Sequence, residues 1–256
     1  MPGENSWKKL FSDLSEYIPQ LSVDCVVFGF HSHHLKVLLM KSPNQDVWSM
    51  PGGFVRRDET VEQAARRVLL ERTGVDGVYL QQFRIFSDPV RNTIRFPSNF
   101  LEDLGCSPAD IEWLTQRFVT VGFYALVEYT RVTPTPDVFS EMSSWWDLEK
   151  PVMLMMDHKQ ILDTALETMQ LHLNYEPIGL NLLPEKFTIP ELQKLYEAIL
   201  GKKLDRRNFQ RKIHSYRILN DLNERKSGGA HKAPSLYSFN PEKYDKALKE
   251  GLKGGW

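Results

Sequence analysis

The sequence predicts an α/β (α+β) chain of two domains: a mixed β-sheet sandwiched between helices, then a small helix-turn-helix unit closed by a β-hairpin. Three observations predict it. Through the first two thirds of the chain, short β-rich runs alternate with two strongly amphipathic helical stretches. A double glycine, Gly52-Gly53, lies between a strand-like run and the first of those helices. The last third then changes character: a capped helix, a tight turn, a basic helix, a strand, a glycine-rich loop and a strand follow directly on one another. At 256 residues, 41% hydrophobic and 25% charged, the chain has the make-up of a globular protein able to bury two modest cores.

Residues 1–20 read as an N-terminal segment and residues 21–173 as the first domain. Within it, residues 23–30 and 35–40 are apolar runs joined by the polar turn HSHH, which predicts a hairpin. Residues 48–54, WSMPGGF, read as a strand ending in a double-glycine turn. The helix that follows starts at Thr60, which forms a capping box with Gln63. It sets Val61, Ala64, Ala65, Val68 and Leu69 on one face and stops at Gly74. Residues 78–86 and 118–129 are further strands. Between them an insertion covers about residues 92–117, with a helix-like stretch at 108–116. Residues 143–147 form a strand that lays Trp145 and Trp146 on the core. Residues 158–172 form a helix with Ile161, Leu162, Ala165, Met169 and Leu173 inward.

The second domain spans residues 174–256. Thr188 and Glu191 form a second capping box, with Pro190 in the first turn of a helix that runs to Leu200 and closes at Gly201. Asp205 caps the next helix, residues 206–215. Residues 218–225 and 235–239 are strands joined by the flexible turn SGGAHKA. That order is a winged helix-turn-helix.

The net charge of −1 says nothing about partners, but its distribution does. Lys202, Lys203, Arg206, Arg207, Arg211, Lys212 and Arg217 crowd one short segment against Asp205 alone. Arginine, asparagine and glutamine can make bidentate contacts to guanine and adenine edges, so Arg206, Arg207, Asn208, Gln210 and Arg211 are candidate base readers. Lys202, Lys203 and Lys212 are further candidate DNA-binding residues, and Lys226, His231 and Lys232 of the wing are candidates to reach phosphates or a minor groove. The partner is double-stranded DNA. The opening residues are polar, with no signal-peptide pattern, and no apolar run approaches the length that spans a bilayer. Two cysteines, Cys25 and Cys106, give neither a disulfide framework nor a metal spacing. A cytoplasmic setting without membrane partners is expected.

From Gly53 the chain carries Glu59, Arg67, Leu69, Glu71, Gly74 and Val75 at spacings that resemble the Nudix signature, G-x5-E-x7-R-E-U-x-E-E-x-G-U with U apolar. A Nudix hydrolase uses carboxylates on one helical face to hold divalent metal against a pyrophosphate. Positions 68, 71 and 72 are related by i, i+3 and i+4, where three glutamates would converge on one hard cation. Here they are Val68, Glu71 and Arg72. A lone Glu71 beside a fixed positive charge binds Mg²⁺ poorly, and Arg67 can pair with it across the helix. The box is therefore degenerate, with no catalytic residue, no metal ligand and no cofactor assigned. Mg²⁺ enters only under the alternative reading, a hydrolase of a nucleoside diphosphate derivative such as ADP-ribose.

Together the two parts resemble the Nudix-related transcriptional regulators of NAD and sugar metabolism, including their arabinose-responsive branch. The resemblance rests on WSMPGGFVRRDETVEQAARRVLLERTGV and EPIGLNLLPEKFTIPELQKLYEAILGKKLDRRNFQRKI, and extends over most of residues 23–239. It implies a homodimer on a near-palindromic operator, governed by a small effector in the Nudix pocket: ADP-ribose, or a phosphorylated or free sugar. ADP-ribose-responsive members carry an arginine- and aspartate-rich segment after the third major strand. Asp88, Pro89 and Arg91 echo it before the insertion intervenes. Arg57, Arg84, Asp88 and Arg91 are the candidate ligand contacts. A third reading makes the first domain a dimerisation module with no effector.

Overall fold

The computed structural model describes residues 14–43, 46–91, 100–103, 106–137, 139–226 and 233–252. The chain forms two compact units: Met1–Val27, Val37–Ala125 and Arg131–Ala165 in one, Phe28–Lys36, Leu126–Thr130 and Leu166–Trp256 in the other.

The main sheet begins with the expected hairpin. Strands β1 (Tyr17–His31) and β2 (His34–Lys41) meet at Ser32 and His33, both at positive φ (50° and 65°). A two-residue turn with both φ positive matches the right-handed twist of its strands. β1 starts at Tyr17, inside the segment the sequence leaves as N-terminal.

WSMPGGF is not one strand ending in a turn. It is two strands, β3 (Trp48–Ser49) on β2 and β4 (Gly52–Arg56) on β1. Pro51 has no N–H to continue a ladder, and its carbonyl accepts from Cys25 N at 2.8 Å. Both glycines lie within β4, opposite Asp24 and Val23. They are required by close approach rather than by a turn: a Cβ on Gly52 would fall 2.7 Å from Asp24 Oδ1, and one on Gly53 2.7 Å from Val68 Cγ2.

Helix α1 (Val61–Thr73) has the predicted capping box, with Thr60 N donating to Gln63 Oε1 at 2.8 Å and Gln63 N to Thr60 Oγ1 at 3.2 Å. Gly74 closes it in the left-handed region (φ 69°), and its N–H donates to Leu70 O. Strand β5 (Tyr79–Phe86) leads to the inserted segment, whose helix α2 (Pro108–Thr115) is capped by Ser107. Strands β6 (Val119–Leu126) and β7 (Met142–Asp147) complete a seven-stranded sheet. Its order is β3-β2-β1-β6-β5, with β4 on β1 and β7 on β2. Helix α3 (His158–His172) buries Ile161, Leu162, Ala165 and Met169 as its periodicity predicts. Trp145 and Trp146 are half-buried, the latter packed 5.2 Å from the Trp48 ring.

In the second unit, α4 (Ile189–Leu200) and α5 (Arg206–Ser215) form the helix-turn-helix. β8 (Leu219–Arg225) and β9 (Ser235–Phe239) pair antiparallel, and Phe187 bridges to Tyr237 on the far side of β9. A further helix, α6 (Pro241–Glu250), buries Tyr244 against Phe239. Gly179 (φ 149°) lets the chain pass close to the core: a Cβ there would meet Phe239 Cζ at 3.0 Å and Leu192 Cδ1 at 3.2 Å.

Candidate functional site

In the box, Arg67 and Glu59 form a bidentate pair, Nη2 to Oε1 at 2.6 Å and Nε to Oε2 at 3.0 Å, while Arg67 Nη2 also reaches Phe54 O at 3.0 Å. Glu59 accepts the Arg56 amide at 2.9 Å. Burial alone would raise the Glu59 pKa, but the Arg67 and Arg56 hydrogen bonds lower it on balance. These residues lock β4 to the start of α1.

The Arg67–Glu71 pair that the spacing suggests is present as a longer contact, 3.5 Å, and Arg72 stands 3.4 Å from the other Glu71 oxygen. Glu71 thus lies between two guanidiniums. Val68 is 1% exposed and packs at the Gly53 position of β4, so position 68 offers no ligand and faces the α1–β4 contact. A hard divalent ion needs several anionic oxygens to replace its water. One carboxylate already neutralised by two arginines does not fit it.

The sheet face opposite α1 carries a second polar centre that the sequence did not reveal. Cys25 Sγ lies 4.0 Å from Ala65 O of α1, so the neighbouring Asp24 points the other way. There Arg91 donates to both Asp157 oxygens at 2.9 Å and to Phe118 O at 3.1 Å, with Asp24 Oδ2 at 3.6 Å. His158 Nδ1 accepts the Met50 N–H at 3.0 Å and sets its Nε2 3.8 Å from Asp24 Oδ1. The network ties Met50, between β3 and β4, to the first turn of α3. Beside it, Trp113 of the inserted helix packs on Phe54 (4.7 Å) and Phe118 (5.0 Å).

Of the candidate ligand contacts, Arg91 is therefore an internal ion pair, its side chain 2% exposed. Asp88 caps its own turn through Val90 N at 2.9 Å. Arg57 donates to Ser15 O at 2.7 Å, and exposed Arg84 sits over the Phe86 ring at 5.7 Å. The structure does not bring these four together as one cluster of contacts.

In the helix-turn-helix, Phe209 and Ile213 anchor α5, while Arg206, Arg207, Asn208, Gln210 and Arg211 are exposed. Asp205 caps the helix through Asn208 N at 2.8 Å, and Arg211 donates to Asn208 Oδ1 at 2.9 Å. Burial, and after it the nearby Lys202 charge, lower the Lys212 pKa. Lys203, exposed, has Glu197 at 3.8 Å. Lys226 of the wing donates to Glu191, the capping glutamate of α4. His231 and Lys232 lie outside the described residues.

Residues 18–165 match the NUDIX domain family and residues 179–239 the NrtR DNA-binding winged helix domain. The ADPR responsive transcriptional repressor NtrR of Acinetobacter baylyi is 30% identical over 234 residues, 89% of this chain and 84% of the relative. The crystal structure of Shewanella oneidensis NrtR complexed with a 27mer DNA is similar at 26% identity and a TM-score of 0.71, over 93% of this chain and 99% of that one. The ADP-ribose pyrophosphatase of Methanocaldococcus jannaschii is 33% identical over 95 residues, 35% of this chain and 56% of the relative. Fold and sites thus define a class: a Nudix domain joined to a DNA-binding winged helix, a transcription regulator. More particularly, the chain belongs to the NrtR family. Among the described residues no helix is long and apolar enough to cross a membrane.

Proposed function

We propose that this protein is an ADP-ribose-responsive transcriptional repressor of the cytoplasm, binding its operator as a homodimer through α5 and sensing ADP-ribose in its Nudix domain. The observation that carries this is the similarity over 89% of the chain to a repressor described as ADPR responsive. It narrows the sequence-derived effector, a nucleotide-sugar or sugar-related metabolite, to ADP-ribose. Hydrolysis is not part of the function. Val68 and Arg72 stand where metal carboxylates would be, and without metal neither water nor leaving group is activated.

The test is binding of the full chain to DNA upstream of its own gene, followed by fluorescence anisotropy with ADP-ribose, free ribose, arabinose or no addition. Affinity is expected to fall with ADP-ribose alone. A response to the pentoses and not to ADP-ribose overturns the effector assignment. Light scattering should give a dimer, because one winged helix reads too few base pairs for an operator and two-fold symmetry supplies the second half-site.

A further inference from the structure

We propose that Arg72 takes the place of the metal in this Nudix pocket, so that a guanidinium rather than a divalent cation meets the diphosphate of the effector. The inference rests on ADP-ribose being the effector. It starts from the mismatch between the box and a cation. The box presents Glu59 and Glu71 against Arg67 and Arg72, so its charges cancel before any ion arrives. A diphosphate entering such a site still needs a positive partner, and the chain has to provide it.

The two arginines are not equivalent. Arg67 is fully engaged by both Glu59 oxygens and the Phe54 carbonyl. Arg72 is not. Its Nε is shielded from solvent and has no hydrogen-bond partner among the described residues. Its Nη2 contact to Glu71, 3.4 Å, is longer than the roughly 2.7–2.9 Å of a good charge-assisted bond. An unsatisfied, largely desolvated guanidinium N–H is costly to maintain unless something binds it.

Arg72 is also held in position. Thr135 N donates to the Arg72 carbonyl and Thr133 N to the Thr73 carbonyl, both at 3.0 Å, so the segment after β6 fixes the last turn of α1. The side chain as a whole is 16% exposed. A planar guanidinium matches phosphate oxygens bidentately. It differs from a metal in one respect that matters here: it offsets charge but generates no hydroxide nucleophile. The pocket can therefore hold its diphosphate without cutting it, and the signal outlasts its reading.

The experiment is calorimetric titration of ADP-ribose into the full chain, in excess EDTA and again in millimolar Mg²⁺, for the wild type and for Arg72→Gln. The wild-type affinity is expected to be the same in both buffers. Arg72→Gln is expected to weaken binding roughly tenfold to a hundredfold, the loss of a charge-assisted hydrogen-bond pair. Binding that appears only with Mg²⁺, or an Arg72→Gln protein that binds like the wild type, overturns the inference. Thermal melts establish that the variant is folded; were it not, the EDTA comparison on the wild type still decides between arginine and metal. No binding of ADP-ribose in either buffer overturns the effector assignment itself, and this inference with it.

Discussion

Glu197 has an 8% exposed side chain and takes the Leu204 amide at 3.0 Å, Gln193 at 3.1 Å and the Lys194 ammonium at 2.8 Å. It thereby holds the turn between α4 and α5 from beneath. Burial by itself would raise its pKa, yet the Leu204 amide, Lys194 and Gln193 outweigh that and bring it from 4.5 to about 2. Because the folded value is depressed, the carboxylate stabilises the fold fully above pH 4.5, and that contribution is lost as pH falls toward 2. Glu197→Gln should cost about 1.5 to 3 kcal/mol at neutral pH, the range for hydrogen bonds to a charged group. In urea melts the gap between variant and wild type should close as the pH falls below 4. A gap that stays constant with pH would assign Glu197 a packing role only. The same scale shows what sequence can and cannot tell. The register of Gly53, Glu59, Arg67, Glu71 and Gly74 was legible because spacing along one turn and one helix is local. That Glu59 rather than Glu71 is the main partner of Arg67 depends on how the loop before α1 folds back on the helix, and that Arg91 is internal with Asp24 and Asp157 depends on segments far apart in the chain.

Among the elements, both helices of the helix-turn-helix match their sequence-derived spans, since Thr188, Gly201 and Asp205 mark the ends chemically. WSMPGGF was misread because glycines for close approach and glycines for a turn look alike until the atoms opposite them are known. Helix α6 was missed altogether, although Asn240 at its cap and Pro241 in its first turn are the ordinary signals of a start. The α5 boundary determines which residues lead into a groove, and the cap at Asp205 fixes it. Replacing Arg206 or Arg207 by alanine should therefore lose discrimination at a defined operator position, about 1 to 3 kcal/mol per bidentate contact. Lys202→Ala should instead weaken operator and scrambled duplex alike and flatten the salt dependence. Lys226→Ala should do less to DNA than a free wing lysine would, because its ammonium is paired with Glu191. Affinities for both duplexes over a salt series separate these outcomes. If the α5 variants lose both affinities equally, they act through charge and not through base edges.

For the whole molecule, effector and operator are two ligands of one chain, and thermodynamics ties their affinities together whatever the path between the sites. If ADP-ribose lowers operator affinity by some factor, saturating operator must lower ADP-ribose affinity by the same factor. Couplings of this kind amount to about 1 to 3 kcal/mol, or roughly fivefold to 150-fold, enough to empty an operator held near half-saturation. The relation gives the family assignment a quantitative check that neither binding curve supplies alone. Anisotropy of labelled operator at rising ADP-ribose yields one factor. Calorimetry of ADP-ribose, with and without unlabelled operator in excess, yields the other. Equal factors are expected for a repressor that switches between two states while remaining dimeric. If ADP-ribose instead splits the dimer, the apparent operator factor will grow as the protein is diluted, while the factor for a stable dimer will not. An operator affinity indifferent to ADP-ribose, in a protein that binds ADP-ribose tightly, would leave the Nudix domain a binding module without control over α5.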